Sequence, residues 1–104
     1  MSSAPSPEAA APRQTRVVSV PESPAAAAAL LEASLAEVSG PDVAAVSLTL
    51  DYGAALSAGQ EVTVEAWVDR TTRTLVFAHG RLLLADGVLA ASGSAVFRRL
   101  QTGA

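Results

Sequence analysis

The chain has 104 residues, which fits one domain, and half of them are hydrophobic while 16% are charged. Net charge is −3 and the seven basic residues are all arginine, so there is no basic footprint for nucleic acid. The absence of cysteine excludes disulfides, thiol catalysis and cysteine-held metals, and one histidine leaves only carboxylates for any metal.

Residues 1–12 read MSSAPSPEAAAP. This Ala/Pro/Ser composition buries too little apolar surface to fold, and a disordered tail is expected. It has neither the basic start nor the apolar centre of a secretory signal. One domain is expected over 13–100, followed by a short tail at 101–104.

Arg13 to Val20 opens with a short strand around Val17-Val18-Ser19-Val20. Ser23-Pro24 predicts a helix start, because serine caps free amides and proline suits the first helical position. The run continues through Val38, and Gly40-Pro41 ends it. At about 100° per residue, Ala27, Ala28, Leu31, Ser34, Leu35 and Val38 share a face. Glu32 and Glu37 flank that face on opposite sides. The segment is too short and too interrupted by glutamate to span a bilayer, which needs about 20 residues. A soluble cytoplasmic protein, with no membrane contact, is the expectation.

Val43 to Tyr52 reads as a half-buried strand with Val46, Leu48, Leu50 and Tyr52 on one side. Gly53 to Gly59 is a loop. From Gln60 to Leu100 three strands alternate with two tight turns. A loop of Thr71 to Arg73 pairs Val68 with Val76, Ala66 with Ala78 and Val64 with Gly80. That register sets His79 between Glu65 and Ser94, which reads as cross-strand polar pairing. Asp86-Gly87 is a two-residue type I′ signal. It pairs Leu84 with Leu89, Leu82 with Ala91, Gly80 with Gly93 and Ala78 with Ala95. The middle of this sheet is then small, and an alanine-rich helix can lie close across it. Trp67, Phe77 and Val96 fall on the outer face and suggest a partner surface.

The sequence V-S-L-T-L-D-Y, then G-Q-E-V-T-V-E-A-W-V, R-T-L-V-F-A-H-G and D-G-V-L-A-A-S-G-S-A-V-F-R-R-L, resembles the hot-dog fold. It is most similar to the acyl-CoA thioesterase superfamily of the phenylacetic-acid-pathway and 4-hydroxybenzoyl-CoA type. The resemblance runs from Val17 to Leu100 and implies an α+β fold, an antiparallel sheet wrapped around one central helix. It also implies a role for Glu32. Ala29-Leu30-Leu31-Glu32-Ala33 resembles the family's helix segment, in which an acid acts as general base or nucleophile toward a thioester. The alternative is a solvated glutamate at the edge of an amphipathic helix. Arg70, Arg73 and Arg81 would meet the phosphates of CoA by the same resemblance, or stand as solvated charge. No cofactor and no metal are implied.

One segment departs from the family. Where relatives carry a Gly-rich loop, this chain has Val20-Pro21-Glu22-Ser23-Pro24, and its two prolines remove two amide donors. Two readings therefore stand. One is a thioesterase with Glu32 as base at a dimer interface. The other is a non-catalytic hot-dog protein that binds an acyl thioester or serves in assembly. A β-sheet adaptor of unrelated fold is a third, if the helix packs at an edge. Open edge strands and the part-apolar outer face predict a homodimer at least.

Overall fold

The computed structural model describes residues 12–100. The elements are β1 (Arg13–Ser19), α1 (Ala26–Ser39), β2 (Val43–Tyr52), β3 (Glu61–Thr71), β4 (Leu75–Leu83) and β5 (Leu89–Arg99). The strands form one antiparallel sheet in the order β1-β3-β4-β5-β2, with α1 packed across it. That excludes the adaptor with its helix at an edge. The tails at 1–12 and 101–104 lie outside the described residues, apart from Pro12. The Pro12 carbonyl accepts a hydrogen bond from Val68 N–H at 3.0 Å.

Helix α1 begins later than Ser23-Pro24 suggests. Ser23 Oγ accepts from Ala25 N–H and Ser23 O from Ala26 N–H, at 3.1 and 3.2 Å. The serine thus closes a preliminary turn, and the regular helix starts beyond it. At the other end Gly40 takes φ 104°, which a glycine adopts without a Cβ penalty, and its N–H donates to Glu37 O.

Ala26, Ala27, Leu31, Ser34, Leu35 and Val38 face the sheet and are buried. Leu31 and Leu35 are fully enclosed. Burial of each stabilises the fold by about 1.5–3 kcal/mol relative to exposure. Their seat is the small floor expected from the sequence. A Cβ at Gly80 would lie 3.1 Å from Leu35 Cδ2 and 3.3 Å from Leu31 Cδ2. One at Gly93 would lie 3.5 Å from Leu31 Cδ1.

The pairing of β3 with β4 differs from the sequence reading by two residues. Val68 lies opposite Ala78, Ala66 opposite Gly80 and Val64 opposite Leu82. The turn lies further along the chain, so that Arg70 meets Phe77 and Thr71 meets Val76, and a bulge at Asp69 then moves the pairing back by one, a net change of two. The loop becomes Thr72 to Thr74, closed by Thr72 N–H to Leu75 O at 2.8 Å. A slip of two keeps every side chain on its face, so the core is as expected while the polar rows are not. His79 stands between Trp67 and Ser94, and Glu65 is opposite Arg81.

Between β4 and β5 the pairs Leu82–Ala91, Gly80–Gly93 and Ala78–Ala95 form as expected. Leu84–Leu89 does not, since an irregularity sets Leu83 opposite Leu89. Only Gly87 has positive φ here, and its N–H donates to Leu84 O at 2.8 Å. This is a type I turn ending in a left-handed glycine rather than the type I′ turn, which needs two positive φ values. In β2 a bulge between Ala45 and Ser47 breaks the alternation. Val46 is therefore 57% exposed, and Tyr52 on the strand's free edge is 70% exposed.

Trp67, Phe77 and Val96 are half-buried on the face away from α1. Trp67 and His79 stack with centroids 6.0 Å apart. Asp69 accepts from Trp67 Nε1 at 3.0 Å and bonds His79 Nδ1. Arg70 lies over Phe77 at 4.4 Å and Arg13 over Trp67 at 5.0 Å. The aromatics are thus partly covered by guanidinium groups from their own chain.

Candidate functional site

The loop after β2 is stapled at both ends. Gly53 N–H donates to Ala90 O at 2.8 Å, and Ala54 N–H to Leu89 O at 3.1 Å. Gly59 N–H donates to Val20 O, and Val20 N–H to Gln60 O, both at 2.8 Å. Gly53 is needed for this approach, because a Cβ there would fall 2.5 Å from Leu89 O. The loop so held faces the first turn of α1 and the segment Val20 to Pro24. Between them is a cavity of about 300 Å³. It opens to solvent, and its walls combine small apolar residues such as Val20, Ala27, Ala54 and Ala90 with the polar side chains of Glu22, Ser23 and Tyr52.

The helix end gives this cavity its polarity. Ala26 N–H is satisfied by Ser23 O, and Ala29 N–H by Ala25 O at 3.0 Å. The amides of Ala27 and Ala28 have no acceptor among the described residues. Ala27 lines the cavity. No acidic side chain stands in the first turn of the helix. The first turn thus sets no carboxylate against the positive end of the helix dipole, while Glu22, just before the helix, lines the same cavity. Free amides at a helix start can receive a carbonyl oxygen or a developing oxyanion.

Glu32 is exposed and is not among the residues that line the cavity of its own chain. Glu37 lies on the β1 flank, where Gln14 Nε2 donates to Glu37 Oε1 at 2.9 Å and Arg16 pairs with the same oxygen. The hydrogen bond from Gln14, then the charge of Arg16, holds the Glu37 carboxyl below the usual carboxylate range. Five residues apart on a helix, the two glutamates point about 140° from each other. Glu32 thus faces the β2 flank, the sheet edge opposite β1.

The three arginines do not converge on the cavity. Arg81 Nε donates to Glu65 Oε1 at 2.6 Å, and Arg70 covers Phe77. Arg73 is exposed in the β3–β4 turn. That turn is at the far end of β3, about 30 Å from the cavity at 3.3 Å per residue. The Ala27 and Ala28 amides were not visible in the sequence. Counting prolines marked two lost donors, whereas the free donors arise a turn later because the helix starts later.

No helix is long and apolar enough to cross a membrane among the described residues.

Residues 25–91, well over half of the chain, match the sequence profile of the thioesterase superfamily. Solved structures share the fold. A hypothetical thioesterase protein with coenzyme A from Streptococcus pneumoniae is 10% identical with a TM-score of 0.79, covering 88% of this chain and 81% of that one. A mutant of the phenylacetic acid degradation protein PaaI from Thermus thermophilus is 21% identical with a TM-score of 0.74, covering 88% of each chain. Zebrafish thioesterase superfamily member 2 is 21% identical with a TM-score of 0.76, covering 94% of this chain and 78% of that one. A comparison with curated protein sequences gives no match. The α+β hot-dog fold expected from the resemblance is the fold found.

Proposed function

The chain belongs to the thioesterase superfamily, and on that premise we propose that it hydrolyses an acyl-CoA or acyl-carrier thioester as a cytoplasmic homodimer. The observation that carries this reading is the cavity at the start of α1, lined in part by Ala27, whose amide has no acceptor among the described residues. The neighbour from Streptococcus pneumoniae solved with coenzyme A supports CoA as the carrier.

In this reading the thioester carbonyl enters with its oxygen toward Ala27 N–H. Water attacks the carbonyl carbon, and negative charge grows on that oxygen. The amide and the helix end stabilise it with no reorganisation, and one such donor contributes about 10²–10³ in kcat. Glu32 takes the proton of the attacking water. The intermediate then collapses, the C–S bond breaks, and the carboxyl of Glu32 returns the proton to the departing thiolate. Glu32 turns away from its own cavity toward the β2 edge, so the glutamate serving each cavity comes from a second copy. Exposed Val46 and Tyr52 on that edge support pairing there. Arg70, Arg73 and Arg81 are the proposed contacts of the CoA phosphates, reached across the dimer. Arg73 has no polar partner among the described residues, so Arg73→Ala is the variant to measure first. A raised KM at unchanged kcat would support that role, and an unchanged KM would remove it.

The second reading, binding without turnover, is favoured by the Val20–Pro24 segment that replaces the family's Gly-rich loop. Hydrolysis of an acyl-CoA panel by the wild type and Glu32→Gln separates the two. A fall of about a hundredfold supports Glu32 as base. Equal rates mean that the base is elsewhere. No turnover by a folded dimer leaves the binding reading.

A further inference from the structure

We infer that β2 pairs antiparallel with β2 of a second copy along its whole length, centred on Leu48, and that this seats Arg99 of the second copy at the mouth of each cavity as the cation for a carrier phosphate. This rests on the thioester and dimer reading above. It goes further by fixing the register and by assigning a residue to the site from the other copy.

The bulge in β2 decides the register. A strand that pairs with its own copy about a two-fold axis must set each residue opposite one on the same face. A regular strand of ten residues, the length of β2, fails this condition when paired end to end. Its centre falls between two neighbours, which point to opposite faces. In β2, however, Val46 has no partner on β5, so the ladder has nine rungs and Leu48 is the fifth. An odd count puts the axis on a residue. Val43 then lies opposite Tyr52 of the second copy, both on the helix face. Ala44 lies opposite Asp51 of the second copy, both on the outer face.

Charge agrees with this arrangement. The cavity end of the molecule carries exposed Glu22, Asp51, Glu61 and Asp86, and neither arginine nor histidine lines the cavity. The opposite end carries Arg73, Arg98 and Arg99, all exposed and without an ion pair among the described residues. Antiparallel pairing sets the acidic end of each copy beside the basic end of the other, so opposite charges meet twice. Parallel pairing would set like ends together.

Arg99 is what this brings to the site. It pairs with Val43 in the β2–β5 ladder, on the helix face. In the dimer it stands two strand spacings, about 10 Å, from Tyr52 of the other copy, and Tyr52 lines the cavity. Arg73 lies in the turn beyond β4, a strand further from the paired edge. A carrier that leaves the cavity along this edge therefore meets Arg99 first. The cavity wall offers a phosphate no cation, and the fork of donors on Arg99 matches its oxygens.

The test starts with the register. The chain has no cysteine, so Ala44→Cys and Asp51→Cys each introduce a single thiol. Oxidised as a mixture, the two variants should give a disulfide-linked dimer, and oxidised alone neither should. No link in the mixture, or an equal link in either variant alone, would overturn the inference. Calorimetry on the full chain then compares S-butyl-CoA, a thioether that cannot be hydrolysed, with S-butyl-pantetheine, which lacks the phosphates. Arg99→Ala should weaken S-butyl-CoA about tenfold or more and leave S-butyl-pantetheine unchanged. Arg99→Lys should recover part of the loss. Weakening of both ligands alike, or of neither, would overturn the role of Arg99 while leaving hydrolysis untouched. The expected loss without hydrolysis of any acyl-CoA would uphold the inference and remove the catalytic reading. No binding of S-butyl-CoA by the wild type would overturn both.

Discussion

Gly80→Ala is expected to destabilise the fold by about 2 kcal/mol, and the structure sets that figure. The new Cβ would sit 2.8 Å from the Glu65 carbonyl oxygen and 3.1 Å from Leu35 Cδ2. The oxygen belongs to the β3–β4 ladder, so it cannot swing away like a side chain. Leu35 is fully enclosed and has nowhere to go. Overpacking of this kind costs about 1–3 kcal/mol, and a rigid obstacle puts it near the top. Replacing glycine also restricts the unfolded chain, which offsets about 0.4–1 kcal/mol. The remainder of about 2 kcal/mol corresponds to a fall in Tm of about 8–16 °C for a domain of this size. Gly93→Ala is the control. There the nearest obstacle is Leu50 Cδ2 at 2.9 Å, the end of a flexible and half-buried side chain. Its cost should be about 1 kcal/mol or less. Urea melts at one fixed protein concentration give the comparison, read as a change of midpoint at constant m. If Gly80→Ala matches the wild type, or costs less than Gly93→Ala, α1 is not seated on the glycine floor.

Gly87→Ala should cost about 1 kcal/mol for a different reason, since space is open there and only its φ of 86° resists a side chain. A thermal melt with no change would refute that turn. Glu37→Gln should be less stable than the wild type at pH 7. A carboxyl held low in the folded state contributes above its unfolded pKa, about 4.3, and the contribution is lost as pH falls through the folded value. The gap between the two proteins should therefore close below about pH 4, and melts showing a constant gap would count against the Gln14–Arg16–Glu37 contact. Val46→Lys sets a charge on the exposed edge of β2 and should give a folded monomer by sedimentation. That monomer should also lose hydrolysis if Glu32 acts on the other copy's cavity, and an active monomer would sink that arrangement.

Much of the fold was legible because period-two and helical patterns survive local irregularity. Val62, Val64, Ala66 and Val68 are buried as their alternation implies, and so are Leu31 and Leu35 on the helix. What the pattern does not carry is the bulge. The later turn and the one residue that Asp69 adds to β3 together shift the pairing by two, so no side chain moves across the sheet. Val46 shows the converse, an apolar residue that a bulge turns outward. The site was less legible. Glu32 carries a side-chain signature, but its own cavity lies elsewhere. The donors at Ala27 and Ala28 and the loop contact of Ala54 are backbone groups that residue identity does not mark, and the glycine that the Gly53 contact requires does not say which strand it approaches.

The sheet treats its two flanks unequally. On the β1 side, Glu37 ties the helix to Arg16 and Gln14. On the β2 side no such tie exists among the described residues, and β2 is hydrogen-bonded to β5 alone. Amide exchange should register this difference. The outward N–H groups of β2 should exchange fastest among the strands in dilute protein and slow as concentration rises, while those of β3 and β4 stay constant. The strand that is loosest in the single chain would then be the one whose protection counts copies, making β2 a built-in gauge of assembly.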